Sequence, residues 1–236
     1  MNKIIMKLSW YWLLSIVFPS KKMRYKRDEY KNKLSERRKR LNALINCIGI
    51  KKIRMVHGGW NVGFIVNNKY VYKTRDRDIS DISKIIKEKR IIDAFTKIVP
   101  LKIPNIDIIH CGKYIFCRYE FIPGKNLTKF SLKTIMKYRE KWATQIAQFI
   151  FAMHTHNPKT LVDLKSGDGD SWGHNDICNN MIVDTKTMTI VGLIDWEYAG
   201  WNFLETEFKN CTAFSPKLLK AGLDTLIRQE YIKLKH

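Results

Sequence analysis

Two segments of this chain combine side-chain types and spacing that carry chemistry. They are His174-Asn175-Asp176-Ile177-Cys178-Asn179-Asn180 and, fifteen residues after Asn180, the run that begins at Asp195: Asp195-Trp196-Glu197-Tyr198. Phosphoryl transfer from ATP asks for little covalent chemistry from a protein. It needs a carboxylate beside the attacking hydroxyl and oxygen ligands that hold Mg²⁺ on the phosphates. Asp176 is the expected catalytic carboxylate. Asn180, with Asn179 in reserve, and Asp195 are the expected metal ligands. A lone His-x-Asp is weak evidence; an apolar strand ending in Asp at this distance makes the pattern specific. The competing reading treats Asp176 and Asn180 as loop caps and Asp195 as a strand-end turn residue.

Upstream, three features fall in the order this chemistry requires. Gly58-Gly59-Trp60-Asn61-Val62-Gly63 sits at a first hairpin, where backbone without Cβ can approach phosphates closely. Lys73 ends a third strand, which places an ammonium toward the α- and β-phosphates. Glu88 on the following helix is expected to pair with it and fix its position. Taken singly, these are an ordinary turn, a solvated strand end and one charge on a helix face.

The elements that must position these residues follow from periodicity. Ile53 to Val56, Val62 to Val66 and Tyr70 to Lys73 are short apolar runs separated by turn residues, a meander of three antiparallel strands. Residues 80–97 have helical spacing of Ile82, Ile85, Ile86, Ile91, Ile92 and Phe95. Two strands, Ile106–Cys111 and Tyr114–Phe121, precede the Ile122-Pro123-Gly124 turn. A long helix over Ser131 to His154, a hairpin at 181–184 and 189–195, and helix from about Pro216 complete the chain. The fold class is α+β: a β-rich half, a Pro-Gly hinge and a helix-rich half.

From about Ile53 to Cys211 the chain resembles the choline/ethanolamine kinase and aminoglycoside phosphotransferase superfamily. The resemblance rests on Gly58-Gly59-Trp60-Asn61, Lys73, Glu88, the hinge Glu120-Phe121-Ile122-Pro123-Gly124, Met153-His154, His174-Asn175-Asp176 and the run 194–202. The last two are closer to the choline-kinase branch. This implies a bilobal protein-kinase-like fold binding ATP and Mg²⁺, with an N-lobe over 51–122 and a C-lobe over 123–236. Gly58, Gly59, Asn61, Gly63, Lys73 and Glu88 would serve the nucleotide, and Asp176, Asn180 and Asp195 the reaction. Two departures stand out. The family's metal-binding Asn falls five residues after the catalytic Asp, where this chain has Met181; and its later acidic residue, usually Asp, is nearest matched by Glu207. Trp196, Tyr198 and Trp201 offer aromatic faces for a quaternary ammonium, with Glu197 beside them, or pack beneath the catalytic loop. Choline, ethanolamine and a sugar hydroxyl on a lipid-linked glycan are the candidate acceptors, and a kinase-fold binding module without activity is the alternative.

The charge adds a further expectation. The net charge is +21, and residues 21–40 hold eleven Lys or Arg against Asp28, Glu29 and Glu36. Before them, Leu8 to Phe18 is uncharged and rich in Trp, Tyr, Leu and Ile; a helix over Ile4 to Phe18 reaches only about 22 Å against a hydrocarbon core of roughly 30 Å. No small-x-small cleavage site follows. Residues 1–50 therefore suit an interfacial helix followed by a polybasic stretch on an anionic membrane; a helix capping the protein's own core is the alternative. That places the protein in the cytoplasm, peripheral at the inner membrane face. Nucleic acid is disfavoured as a partner, because the aromatics precede the basic run and no reading module is present. Five scattered cysteines show no zinc spacing or disulfide framework and are expected as free thiols.

Overall fold

The computed structural model describes residues 21–49, 52–57, 61–75, 82–213 and 215–236. The apolar segment Leu8 to Phe18 and the glycines Gly58 and Gly59 lie outside the described residues. Two compact units are present.

The first unit takes in the described residues up to Arg75 together with Asp107–Arg118. Helix α1 (Lys21–Ile48) is followed by β1 (Ile53–His57), β2 (Asn61–Val66) and β3 (Tyr70–Arg75); β4 (Asp107–Cys111) and β5 (Tyr114–Glu120) complete a five-stranded sheet in the order β1-β2-β3-β5-β4. The meander is antiparallel with Met55 opposite Phe64 and Gly63 opposite Lys73. Asn67 and Asn68, both with φ near +50°, turn β2 into β3; Asn is the non-glycine residue that tolerates this region best. Every residue of β2 is buried. Leu44 of α1 joins Val62, Phe64, Val66, Tyr72, Cys111, Tyr114 and Phe116 in one core.

Helix α1 contains few β-branched residues and many Lys, Arg and Leu, a composition with good helix propensity. Two of its basic residues are not where the sequence reading puts them. Arg37 and Arg40 are buried, and the Arg40 guanidinium lies 5.7 Å from the Tyr114 ring centroid. Lys31, Arg38 and Lys39 remain exposed. The cysteine expectation is corrected as well: Cys47 and Cys111 are joined by a disulfide across a sequence separation of 64 residues. The packing of α1 on β4 brings them together, and no local spacing announces that.

The second unit comprises Ile82–Ile106 and Tyr119–His236. Helix α2 (Ile82–Phe95) buries Ile85, Ile91, Ile92 and Phe95 of the expected stripe, and Glu88 with them; Ile82 is partly buried and Ile86 is exposed, which corrects the stripe at that position. Past the hinge come β6 (Lys125–Asn126) and the long helix α3 (Leu132–Thr155), whose N-cap Ser131 accepts the Thr134 amide. Then follow β7 (Ser171–Gly173), the one-turn α4 (Ile177–Asn180), β8 (Met181–Asp184), β9 (Thr189–Leu193) and β10 (Gly200–Asn202). Helices α5 (Leu204–Thr212), α6 (Pro216–Lys220) and α7 (Leu223–Lys233) end the chain. Trp142, Ile146, Phe149, Ile150 and Met153 form the inward face of α3. Strands β6, β8 and β9 make a three-stranded sheet, and β7 pairs with β10.

Candidate active site

The His174–Asn180 segment runs from β7 into α4, and the hairpin β8–β9 carries the chain back to it. Met181 pairs with Leu193, and the Ile194 amide donates to the Asn180 carbonyl at 3.2 Å. This register sets Asn180 and Asp195 at neighbouring positions of one hairpin end. Asn126 of β6, which the sequence reading did not single out, donates from its side-chain amide to the Asn179 carbonyl. Its only sequence signal is a polar residue two positions after the hinge glycine.

Beneath the loop, His174 is fully buried. The Asp176 amide donates to its Nδ1 at 3.3 Å, so Nδ1 is the acceptor and Nε2 carries the proton toward the Ile194 carbonyl at 3.2 Å. Its ring stands edge-on to Trp196, with centroids 5.0 Å apart. Two non-glycine residues hold left-handed backbone here, Asn175 with φ 63° and Asp195 with φ 64°. Such conformations cost of order 1 kcal/mol or more and persist where surrounding contacts impose them. At Asn175 those contacts are explicit. Its amide donates to Glu207 Oε2 at 2.9 Å, and its side chain donates to the Tyr198 carbonyl at 3.0 Å.

Asp176 begins α4 and is half-buried. Asn179 Nδ2 donates to its Oδ1 at 2.6 Å, while Asn180 Nδ2 donates to its Oδ2 at 2.9 Å and to its main-chain oxygen at 3.0 Å. Burial raises the Asp176 pKa above the usual carboxylate value; the two Asn hydrogen bonds oppose this, and the charges of Asp195 and Glu197 add to the rise. A carboxylate raised in part by two neighbouring carboxylate charges stands in an environment that welcomes a cation. Among the described residues no group of three His, Cys, Asp or Glu forms a complete cage. Mg²⁺ characteristically takes only one or two carboxylates, plus phosphate oxygens and water. Asn180 Oδ1 and the Asp195 carboxylate are hard oxygen donors of that kind.

Glu207, which the sequence offered only as the nearest acid, sits on α5 directly under the loop. It is fully buried, and the amides of Asn175 and His174 donate to it. Burial pushes its pKa up to about 7 against the pull of those amides, with the Asp176 charge adding to the rise. Gly173 makes room for it: a Cβ there would meet Glu207 Oε2 at 2.1 Å.

The aromatic residues divide. Trp196 is fully buried, edge-on to Phe149 as well as His174, with its indole N–H donating to the Leu193 carbonyl. It is core, and its expected role as a substrate contact is corrected. Its amide donates to Glu88 Oε1 at 3.1 Å, so Glu88 fixes the turn that follows Asp195. Tyr198 is exposed. Trp201 is half-buried, and the Lys165 ammonium lies 3.8 Å from its ring centroid. In the first unit, Lys73 and Asn61 are both buried, and Gly63 lies opposite Lys73 on the neighbouring strand.

The chain's overall arrangement has counterparts among solved structures. The GDP and kanamycin complex of the aminoglycoside phosphotransferase APH(2")-IIia aligns with a TM-score of 0.61 at 14% identity, covering 80% of this chain and 86% of that one. The streptomycin–ATP complex of APH(2")-IIa aligns at 0.59 and 16% identity, covering 81% and 80%. Macrolide 2'-phosphotransferase MphH from Brachybacterium faecium aligns at 0.56 and 10% identity, covering 79% and 77%. The fold is protein-kinase-like. No protein-family model matches the sequence, and no curated protein does. At these identities the likeness is one of architecture.

Proposed function

We propose that the chain is an ATP-dependent phosphotransferase that moves the γ-phosphate to an alcohol hydroxyl. The observation that carries this reading is Asp176, held by two Asn side chains and flanked by the charges of Asp195 and Glu197, on a loop with strained backbone at Asn175. Asp176 orients the acceptor hydroxyl and takes its proton as the oxygen attacks the γ-phosphorus. The bond from that phosphorus to the bridging oxygen breaks, and ADP leaves. The raised pKa of Asp176 makes its carboxylate a stronger base than an ordinary one. Asn180, with Asn179 in reserve, and Asp195 would hold Mg²⁺, which when bound neutralises charge on the phosphate oxygens. Asn180 would use Oδ1, since its Nδ2 is committed to Asp176. Asn61, Gly63, Lys73 and Glu88, with Gly58 and Gly59, would serve the nucleotide.

Glu197, Tyr198 and Trp201 remain the acceptor-side residues. The Lys165 ammonium lies over the Trp201 ring and would compete with a quaternary ammonium for it. That contact favours a sugar hydroxyl on a lipid-linked or lipopolysaccharide glycan over choline or ethanolamine. The exposed cations of α1 support attraction to an anionic membrane surface at the cytoplasmic face, and no helix among the described residues is long and apolar enough to cross a membrane.

ADP release measured over a panel of choline, ethanolamine and sugar acceptors tests the reading, with Asp176→Ala as control. Turnover with a sugar acceptor that disappears in the variant supports it. Turnover indifferent to the substitution sinks the assignment of Asp176, and no turnover with any acceptor returns the chain to a binding module.

A further inference from the structure

Cys178 and Cys211 stand apart from the other cysteines. Both are buried, and their sulfurs lie 2.9 Å apart. Cys178 belongs to α4, the single turn that Asp176 begins and that Asn179 and Asn180 complete. Cys211 lies one helical turn after Glu207 on α5, on the same face, and Glu207 is the residue that accepts the amides of Asn175 and His174. The thiol pair therefore joins the two elements whose relative position sets the catalytic loop.

We propose that Cys178 and Cys211 form a redox-sensitive dithiol whose closure to a disulfide staples the catalytic loop to α5 and slows phosphoryl transfer. The effect on transfer rests on the phosphotransferase reading above; the closure itself does not. A disulfide needs the sulfurs at about 2.05 Å, so closure draws the pair together by roughly 0.9 Å. Because α4 is one turn long, that movement reaches Asp176, Asn179 and Asn180 directly. A misplacement of about 1 Å at a reacting group costs up to about a hundredfold in rate.

The oxidant class that fits is a small peroxide, since both sulfurs are shielded from bulky reagents. One thiolate attacks a peroxide oxygen and the O–O bond breaks, giving a sulfenic acid and water. The second thiol then displaces water from that sulfur. Two thiols and one hydrogen peroxide yield one disulfide and two waters, a two-electron oxidation. The Cys178 hydrogen bond, with burial and the nearby Glu207 charge, raises the Cys211 thiol well above its ordinary value. The small thiolate fraction makes attack slow, so closure calls for a strong peroxide challenge.

The test uses the full chain, treated with graded hydrogen peroxide and mapped by non-reducing peptide mass spectrometry. The expected result is a Cys178–Cys211 linked peptide lacking two hydrogens, absent from Cys211→Ser, with Cys117 still free. Turnover is expected to fall at least about tenfold and to return on reduction, while Cys211→Ser keeps its turnover through the same treatment. Sulfinic or sulfonic acid at Cys178 without a link would overturn the proposal, as would a link that leaves turnover unchanged in an active protein. Should the variant misfold, peroxide followed by reductant on the unsubstituted chain decides the same question. If the protein transfers no phosphate in either state, the linked peptide and a higher melting temperature register the closure alone; that outcome rejects the phosphotransferase reading and the control of turnover, and retains the dithiol.

Discussion

Strand β2 and the loop at 174–180 are both buried in good part, yet they are built on opposite principles. In β2 each residue is covered, the backbone pairs on both sides, and Val62, Phe64 and Val66 fill a shared apolar core. Around the loop, two non-glycine residues hold left-handed backbone, a carboxylate is fully buried, and Asp176 feels two like charges. In β2 the β-branched and aromatic residues favour the strand, with Asn61 and Gly63 as the exceptions. The loop is imposed by its neighbours, with Glu207, Asn126, Tyr198 and Ile194 supplying the hydrogen bonds that hold it. Left-handed non-glycine backbone also occurs at Asn67, Asn68 and Met188, so what sets the loop apart is that a buried carboxylate and like charges accompany it.

The sharpest way to break this contrast is Asp176→Ala. It is expected to lower turnover by about 10²–10⁴-fold while the far-UV spectrum and melting temperature stay near those of the parent, because the loop is held from outside. On the scaffold side, Cys47→Ser is expected to cost about 4 kcal/mol, read as a lower midpoint in urea, with reaction at the loop preserved in the molecules that remain folded.

Glu207 tests the loop's electrostatics. Its folded pKa of about 7 lies above the ordinary value of 4.5, so between those values the folded protein keeps a proton that the unfolded chain has lost. Unfolding therefore releases a proton, and stability falls as pH rises from about 4.5 through about 7, by roughly 3 kcal/mol in all. Denaturant melts across that range check the slope, and Glu207→Gln is expected to remove it. Gly173→Ala adds a methyl group where Glu207 Oε2 already lies, and is expected to cost about 1–3 kcal/mol together with a loss of turnover, both measurable on one preparation. The smallest effect expected is that of Lys165→Met. It removes about 0.5–1 kcal/mol of cation–π attraction and uncovers Trp201, so a lower KM for choline, with sugar acceptors unchanged, would reverse the acceptor preference.

Much of this was legible from the residues because it is local. The meander of β1 to β3, most of the α2 stripe and the long α3 follow from side-chain periods that read the same in sequence and in structure, Ile86 excepted. His174-Asn175-Asp176 and Asp195 were legible because their spacing spans one turn and one hairpin. What escaped depends on distant packing. Trp196 is indistinguishable from Tyr198 and Trp201 as an aromatic in a short run, and only its burial against Phe149 and His174 separates it. Cys47 and Cys111 meet because α1 lies over β4, and Arg37 and Arg40 turn inward for the same reason. Helix α5 is short and its polar residues mask its periodicity, so Glu207 was visible as an acid but not as the support of the loop.

The tie between Cys47 and Cys111 also has a mechanical consequence. The last turn of α1 is bonded to the end of β4, so the basic helix is an outrigger bolted to the sheet rather than an arm on a swivel. Any anionic surface that grips Lys31, Arg38 and Lys39 also sets the pose of the sheet that carries Lys73. Cutting that bond would leave the packing of Leu44 in the sheet's core as the remaining tie between the two.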